Sequence, residues 1–94
     1  MPPLEIEFTS RFRAEARALP TERQESIEQA LDSLRGAFGK PHLHGGLGIR
    51  RLKRDYFEFR AGRDTRVVFS LEGSVATLRM VGTHDDVRKF LRNS

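Results

Sequence analysis

The stretch TRVVFSLEGSVATLRMVGTHDD, residues 65–86, decides the fold. Two runs rich in β-branched and apolar residues, Thr65 to Leu71 and Ser74 to Val81, flank Glu72-Gly73, a hairpin signal. In the second run Val75, Thr77, Arg79 and Val81 fall on one face and Ala76, Leu78 and Met80 on the other, the two-residue period of a strand. Gly82-Thr83 ends that strand. Thr83 then serves as the N-cap of a helix, with Asp85 and Asp86 at the positive end of its dipole and Val87, Phe90 and Leu91 as its buried stripe.

Upstream, strands fit Ile49 to Lys53 and Tyr56 to Ala61, the latter joined to Thr65–Leu71 by Gly62-Arg63-Asp64. Lys40 to Gly48 reads as a loop from its Pro and Gly content. Before the loop, Phe12, Ala16 and Leu19 recur at helical spacing after a Thr9 or Ser10 cap and stop at Pro20. Ile27, Ala30, Leu31, Leu34 and Phe38 mark a second helix, with Thr21 as its N-cap, Gln24 completing a capping box, and Gly36 and Gly39 closing it. Leu4-Glu5-Ile6-Glu7-Phe8 alternates as a half-buried strand. The order β-α-α-β-β-β-β-α predicts an α+β domain: one twisted antiparallel sheet packed against an αα-hairpin and a C-terminal helix, with the first strand pairing out of sequence.

Ninety-four residues make one domain, residues 1–94. Hydrophobic residues at 37%, seven of them Phe, can close a modest core, and the absence of Cys excludes a disulfide framework or a thiolate metal site. The N-terminus has no basic and apolar leader, and no stretch approaches the ~18 apolar residues of a membrane span, so a soluble cytoplasmic protein without membrane partners is expected. Charge is unevenly distributed. Residues 1–47 carry six basic and seven acidic side chains, residues 48–94 eleven basic and six acidic. Folded cationic surface of this kind suits a nucleic acid or an acidic protein.

Four groups of residues invite a chemical reading. His42 and His44 flank Leu43 and suit proton transfer near neutral pH, with solvated loop histidines as the competing reading; further ligands at metal-site spacing are lacking, and no metal or other cofactor is expected. His84 stands at the first helical position beside Asp85 and Asp86, at the rim of the sheet, where it is either functional or a plain capping-segment residue. Arg60, Arg63, Arg66 and Arg79 lie in or beside apolar strands, so their guanidinium groups are held rather than loose. A planar cationic fork suits a phosphate in a pentacoordinate transition state, and cross-strand pairing with Glu58 or Asp64 is the alternative. Arg79 is expected across the sheet from Arg66 if their strands pair. Gly45-Gly46-Leu47-Gly48 leads from a helix into a strand, the reverse of a phosphate-cradling loop, and reads as turn glycine.

Five strings in this order resemble the RelE/ParE superfamily of toxin-antitoxin toxins: Phe8-Thr9-Ser10-Arg11-Phe12; Leu43-His44-Gly45 with Leu47-Gly48-Ile49-Arg50-Arg51-Leu52; Tyr56-Phe57-Glu58-Phe59-Arg60; Thr65-Arg66-Val67-Val68-Phe69; and Val81-Gly82-Thr83-His84-Asp85. The resemblance covers nearly the whole chain and implies the toxin of a type II toxin-antitoxin system. Such a toxin is either an endoribonuclease acting on mRNA at the ribosome or, as the alternative, a ParE-like poison of DNA gyrase or a domain that only binds its antitoxin. It implies a cognate antitoxin as partner and a phosphate-binding catalytic role for Arg66. The YafQ-like pattern implies catalytic roles for His84, for His44 (or His42) in the loop before the sheet, and for Asp64. Arg50, Arg51, Arg60 and Arg79 are the implied RNA-binding cations. The chain departs from RelE where two strand Lys become Glu58 and Arg60 and a C-terminal Tyr becomes Phe90, which favours a histidine-based proton shuttle.

Overall fold

The computed structural model describes residues 4–37 and 48–93. Its elements are β1 (Glu5–Phe8), α1 (Ser10–Arg17), α2 (Thr21–Ala37), β2 (Arg50–Arg51), β3 (Tyr56–Arg60), β4 (Arg66–Glu72), β5 (Val75–Gly82) and α3 (His84–Arg92), the order that the periodicity implies. Among the described residues no helix is long and apolar enough to cross a membrane.

The five strands form one sheet in the order β1-β5-β4-β3-β2. β2 through β5 are an antiparallel meander, and β1 pairs out of sequence with β5, as the element order demands. It does so in parallel, which makes the sheet mixed. Periodicity carries no information on the direction of an added strand; here the chain leaving β1 decides it. Thr9 donates its N–H to the Leu78 carbonyl and its Oγ1 hydrogen to the same oxygen at 2.9 Å, while accepting from the Phe12 N–H as the cap of α1. One residue thus ends the strand, starts the helix and fixes both to β5. Beyond Phe8 the β5 backbone has lost its strand neighbour, and Glu15 of α1 takes over by accepting from the Val81 N–H at 3.2 Å.

α1 and α2 cover one face of the sheet. Phe12, Ile27, Ala30, Leu31 and Leu34 pack onto Phe59, Ala61, Val67, Phe69, Ala76, Leu78 and Val81, with Leu34, Phe59, Phe69 and Leu78 removed from solvent. Burial of each such large side chain favours folding by roughly 2–3 kcal/mol before entropy is counted. α3 crosses the other face, where Val68, Met80 and Val87 form a smaller cluster flanked by Leu52, Tyr56, Phe90 and Leu91.

Three local expectations are corrected. Val68 pairs with Met80 and Phe69 with Leu78, so Arg79 is an extra residue, a β-bulge. The alternation therefore breaks: Ala76, Leu78 and Val81 share the α1/α2 face and Met80 lies with α3. β2 is paired only at Arg50–Arg51, because the chain turns early: Leu52 donates to the Tyr56 carbonyl, and Arg54 adopts φ 60°. α2 begins one residue sooner than expected, since the Pro20 carbonyl accepts from Arg23 and Gln24; Gln24 reaches back to the Leu19 carbonyl instead of forming a box with Thr21, and Gly36 lies inside the helix.

Candidate functional site

Strand alternation and register bring Arg50, Glu58, Arg60 and Arg66 to the α3 side of the sheet, beyond the patch that α3 itself covers. Arg50 stands opposite Glu58, Glu58 opposite Val68, and Arg60 opposite Arg66. The carboxylate of Glu58 is the buried centre of this group, with 1% of its side chain exposed. Its Oε1 accepts from Arg50 Nε at 2.5 Å and from Arg66 Nη1 at 3.2 Å. Its Oε2 is buried and has no hydrogen-bond partner among the described residues. Each arginine spends one N–H of its five-donor fork on the glutamate, with Arg66 24% and Arg50 59% exposed. Three cations around one anion leave this patch positive.

Two glycines shape its margins. A methyl group on Gly48 would lie 2.6 Å from Arg60 Nε and 2.8 Å from its Nη2, so the Arg60 guanidinium rests on bare backbone, at a residue whose φ of 60° also favours glycine. Gly82 is the register partner of Arg66 and presents no side chain beside it. A methyl group there would lie 2.6 Å from Asp86 Oδ2 and 2.7 Å from Asp86 Cβ. The absence of that methyl lets α3 start immediately after β5. Thr83 caps the helix: its Oγ1 accepts from the Asp86 N–H, and Asp86 Oδ2 accepts from the Thr83 N–H at 2.9 Å, a complete capping box. Those hydrogen bonds from Thr83, backbone first and then hydroxyl, hold the Asp86 carboxyl below the usual carboxylate range. His84, the first residue of α3, is exposed and follows the partner of Arg66 by two residues.

The sequence-derived candidates therefore divide. Arg66, Arg60, Arg50 and His84 are ordered around the C-terminal ends of β3 and β5 and the start of β4. Arg79 is not opposite Arg66: the register set at the hairpin, Glu72 opposite Val75, together with the one-residue bulge puts Gly82 there. Arg79 lies beside Ser70, whose hydroxyl accepts from Arg79 Nε at 2.9 Å, four residues or about 13 Å further along β4. Arg51 alternates with Arg50 and pairs with Phe57 on the other side of the pleat. Asp64 lines a small cleft of about 200 Å³ with Glu22, Arg23 and Ser26 of α2. His42 and His44 lie outside the described residues. The larger hollow, about 430 Å³, lies between α1 and α2 beside Phe8 and Phe12 and contains none of these candidates.

The pairing of Arg66 with Glu58, one of the two alternatives open from the sequence, is observed, and it does not remove Arg66 from the cationic group. The burial of Glu58 was not legible: a glutamate in a strand ordinarily faces water, and only the placement of two arginines around it makes burial tolerable. A signal did exist, in Arg50, Glu58 and Arg66 at equal spacings of eight residues along a meander.

No family model matches the sequence, and no curated protein matches it. Among solved structures the chain is similar to a chain of the RelB–RelE antitoxin–toxin complex from Methanococcus jannaschii (16% identity, TM-score 0.69, covering 89% of this chain and 96% of that chain). It is likewise similar to a chain of the E. coli DinJ–YafQ toxin–antitoxin complex (12% identity, TM-score 0.70, 92% and 98% covered). The Staphylococcus aureus YoeB dimer matches at 17% identity and TM-score 0.66, with 88% and 99% covered. Over most of its length, the fold of this chain is the RelE-like fold.

Proposed function

We propose that the protein is the toxin of a type II toxin-antitoxin system and acts in the cytoplasm as an mRNA endoribonuclease. The observation that carries this reading is the cationic group of Arg66, Arg50 and Arg60 anchored on Glu58, with the imidazole-bearing start of α3 directly after the strand that pairs with Arg66. Cleavage of RNA by side chains needs a base for the 2′-OH proton, a cation for the charge on the phosphorane, and an acid for the departing 5′-oxygen. Attack of the 2′-oxygen on phosphorus forms a 2′,3′-cyclic phosphate, and the 5′-oxygen leaves as a hydroxyl. In this scheme Arg66 binds the scissile phosphate, Arg60 and Arg50 hold neighbouring phosphates, and His84 and His44 share the proton transfers. Asp64, which lines the cleft beside α2, would act by orienting one of the two histidines. The structural neighbours from M. jannaschii and E. coli are toxin–antitoxin complexes, which supports a cognate antitoxin here, with acidic groups to meet the basic half of the chain.

The test is a cleavage assay of the purified chain on mRNA, both free and on translating ribosomes, with mapping of the ends. Wild type is expected to leave 2′,3′-cyclic phosphate and 5′-hydroxyl ends. His84→Ala and Arg66→Ala should each lower the rate about 10²–10⁴-fold, the range for loss of one acid-base or transition-state charge contact. Full activity of His84→Ala overturns its assigned role. The rival reading, a gyrase poison or a chain that only binds antitoxin, draws on the lost Lys and Tyr of the RelE pattern: Glu58 places an anion where that pattern has a Lys, and Phe90 stands in place of its Tyr. Gyrase-linked DNA breaks without RNA cleavage on expression would establish the poison; neither activity would leave the binding domain.

A further inference from the structure

Glu58 is the one buried carboxylate among the described residues, and its environment is costly. One oxygen takes both arginines while the other, equally buried, has no partner among the described residues. A buried ion pair rarely gains over an apolar pair of the same volume, and an unfilled acceptor adds to the cost. Val68, its register partner, shows that this side of the sheet accepts an apolar residue at the same depth. Stability therefore does not account for the glutamate.

Its geometry accounts for it better. Oε1 engages Arg50 through Nε and Arg66 through Nη1, different atoms of the two forks, and so fixes the two side chains from a single point. Arg66 would otherwise be a long side chain with four free torsions, losing its freedom only when substrate arrived. Arg60, directly across from Arg66, adds like-charge repulsion that pushes an untethered Arg66 away. We propose that Glu58 is a positioning residue: it holds the Arg66 guanidinium in place for an RNA phosphate, surrendering one charge to keep the fork ordered. The inference rests on the reading of Arg66 as the phosphate-binding group.

A carboxylate in this position has two opposite effects, and they differ in sign. As a counter-charge it masks Arg66, so its removal would make Arg66 matter more. As an anchor it makes Arg66 effective, so its removal makes Arg66 matter less. The deciding experiment is a double-mutant cycle of Glu58→Gln and Arg66→Ala, read by affinity for a 2′-O-methyl oligoribonucleotide, which has no 2′-OH to cleave. Glutamine keeps the shape and one acceptor oxygen, and a thermal transition for each variant confirms that it is folded. The affinity lost on Arg66→Ala is expected to be at least threefold smaller in the Glu58→Gln chain than in wild type. An equal or larger loss overturns the proposal. On cleavable RNA, Glu58→Gln should lower kcat tenfold or more in wild type and less than threefold in Arg66→Ala; equal effects in the two backgrounds also overturn it. A wild-type chain that binds the analogue but cleaves no RNA, free or on translating ribosomes, refutes the nuclease function alone, and the binding cycle still decides the role of Glu58.

Discussion

Gly82→Ala tests the junction of sheet, α3 and candidate site with one methyl group. The added carbon would lie 2.6, 2.7 and 3.0 Å from Oδ2, Cβ and Cγ of Asp86. Rotating the carboxylate relieves only the first of these contacts, because the Cβ position is set by the helix backbone. Asp86 must swing out or α3 must move. Either way the two hydrogen bonds that Oδ2 accepts, from the Thr83 N–H and the Thr83 hydroxyl, are lost. At roughly 1 kcal/mol for each exposed bond and about 1 kcal/mol for the displaced cap, less about 0.7 kcal/mol that alanine takes from the entropy of the unfolded chain, the net loss is about 2 kcal/mol. In a domain of this size that lowers Tm by about 8–16 °C. Thermal and urea unfolding, followed by circular dichroism, give the number. RNA cleavage should fall as well, since His84 starts the displaced helix. A Gly82→Ala chain as stable as wild type would refute the account of this junction.

The acid limb of stability offers a second measurement. The carboxyl of Asp86 is held below its usual range by the Thr83 bonds. Its contribution is therefore present above the ordinary carboxylate range and disappears as the pH falls through the lowered value, so the Tm difference between wild type and Asp86→Asn should shrink in acid; a constant difference would contradict the capping role. Glu15→Ala strips the Val81 N–H of its acceptor and should cost about 1–2 kcal/mol and speed hydrogen exchange at Val81, whereas Glu15→Gln keeps an acceptor oxygen and should cost less than about 0.5 kcal/mol. Gly48→Ala should cost about 1 kcal/mol for its positive φ and weaken RNA binding by dislodging Arg60, an effect absent from Gly73→Ala, whose φ is likewise positive but which has open space around it.

Much of the molecule was legible in one dimension because the information is local. Apolar residues at period two or near 3.6 identified strands and helices, Thr9 and Thr83 marked helix starts, and Gly73 marked a hairpin. Those features depend on dihedral preferences and on which side of an element meets the core. Arg60, Arg66 and His84 were recognisable as candidates for the same reason: a cation or imidazole at the end of an apolar strand is a local anomaly. The bulge at Arg79 escaped this reading, since one inserted residue changes no composition, yet it reverses the face of every residue after it; the register set at the hairpin, Glu72 opposite Val75, had already placed Arg79 away from Arg66.

The sequence by itself determined the elements, their order, and the excess of positive charge in the second half. Tertiary structure alone decided that β1 runs parallel to β5, that Glu15 completes the sheet where β1 stops, and that Glu58 is buried beneath two arginines. Each of the three depends on groups that are distant along the chain and meet only when the strands pair. The free energy of a buried carboxylate is set by the charges that surround it in space, and those are fixed by register.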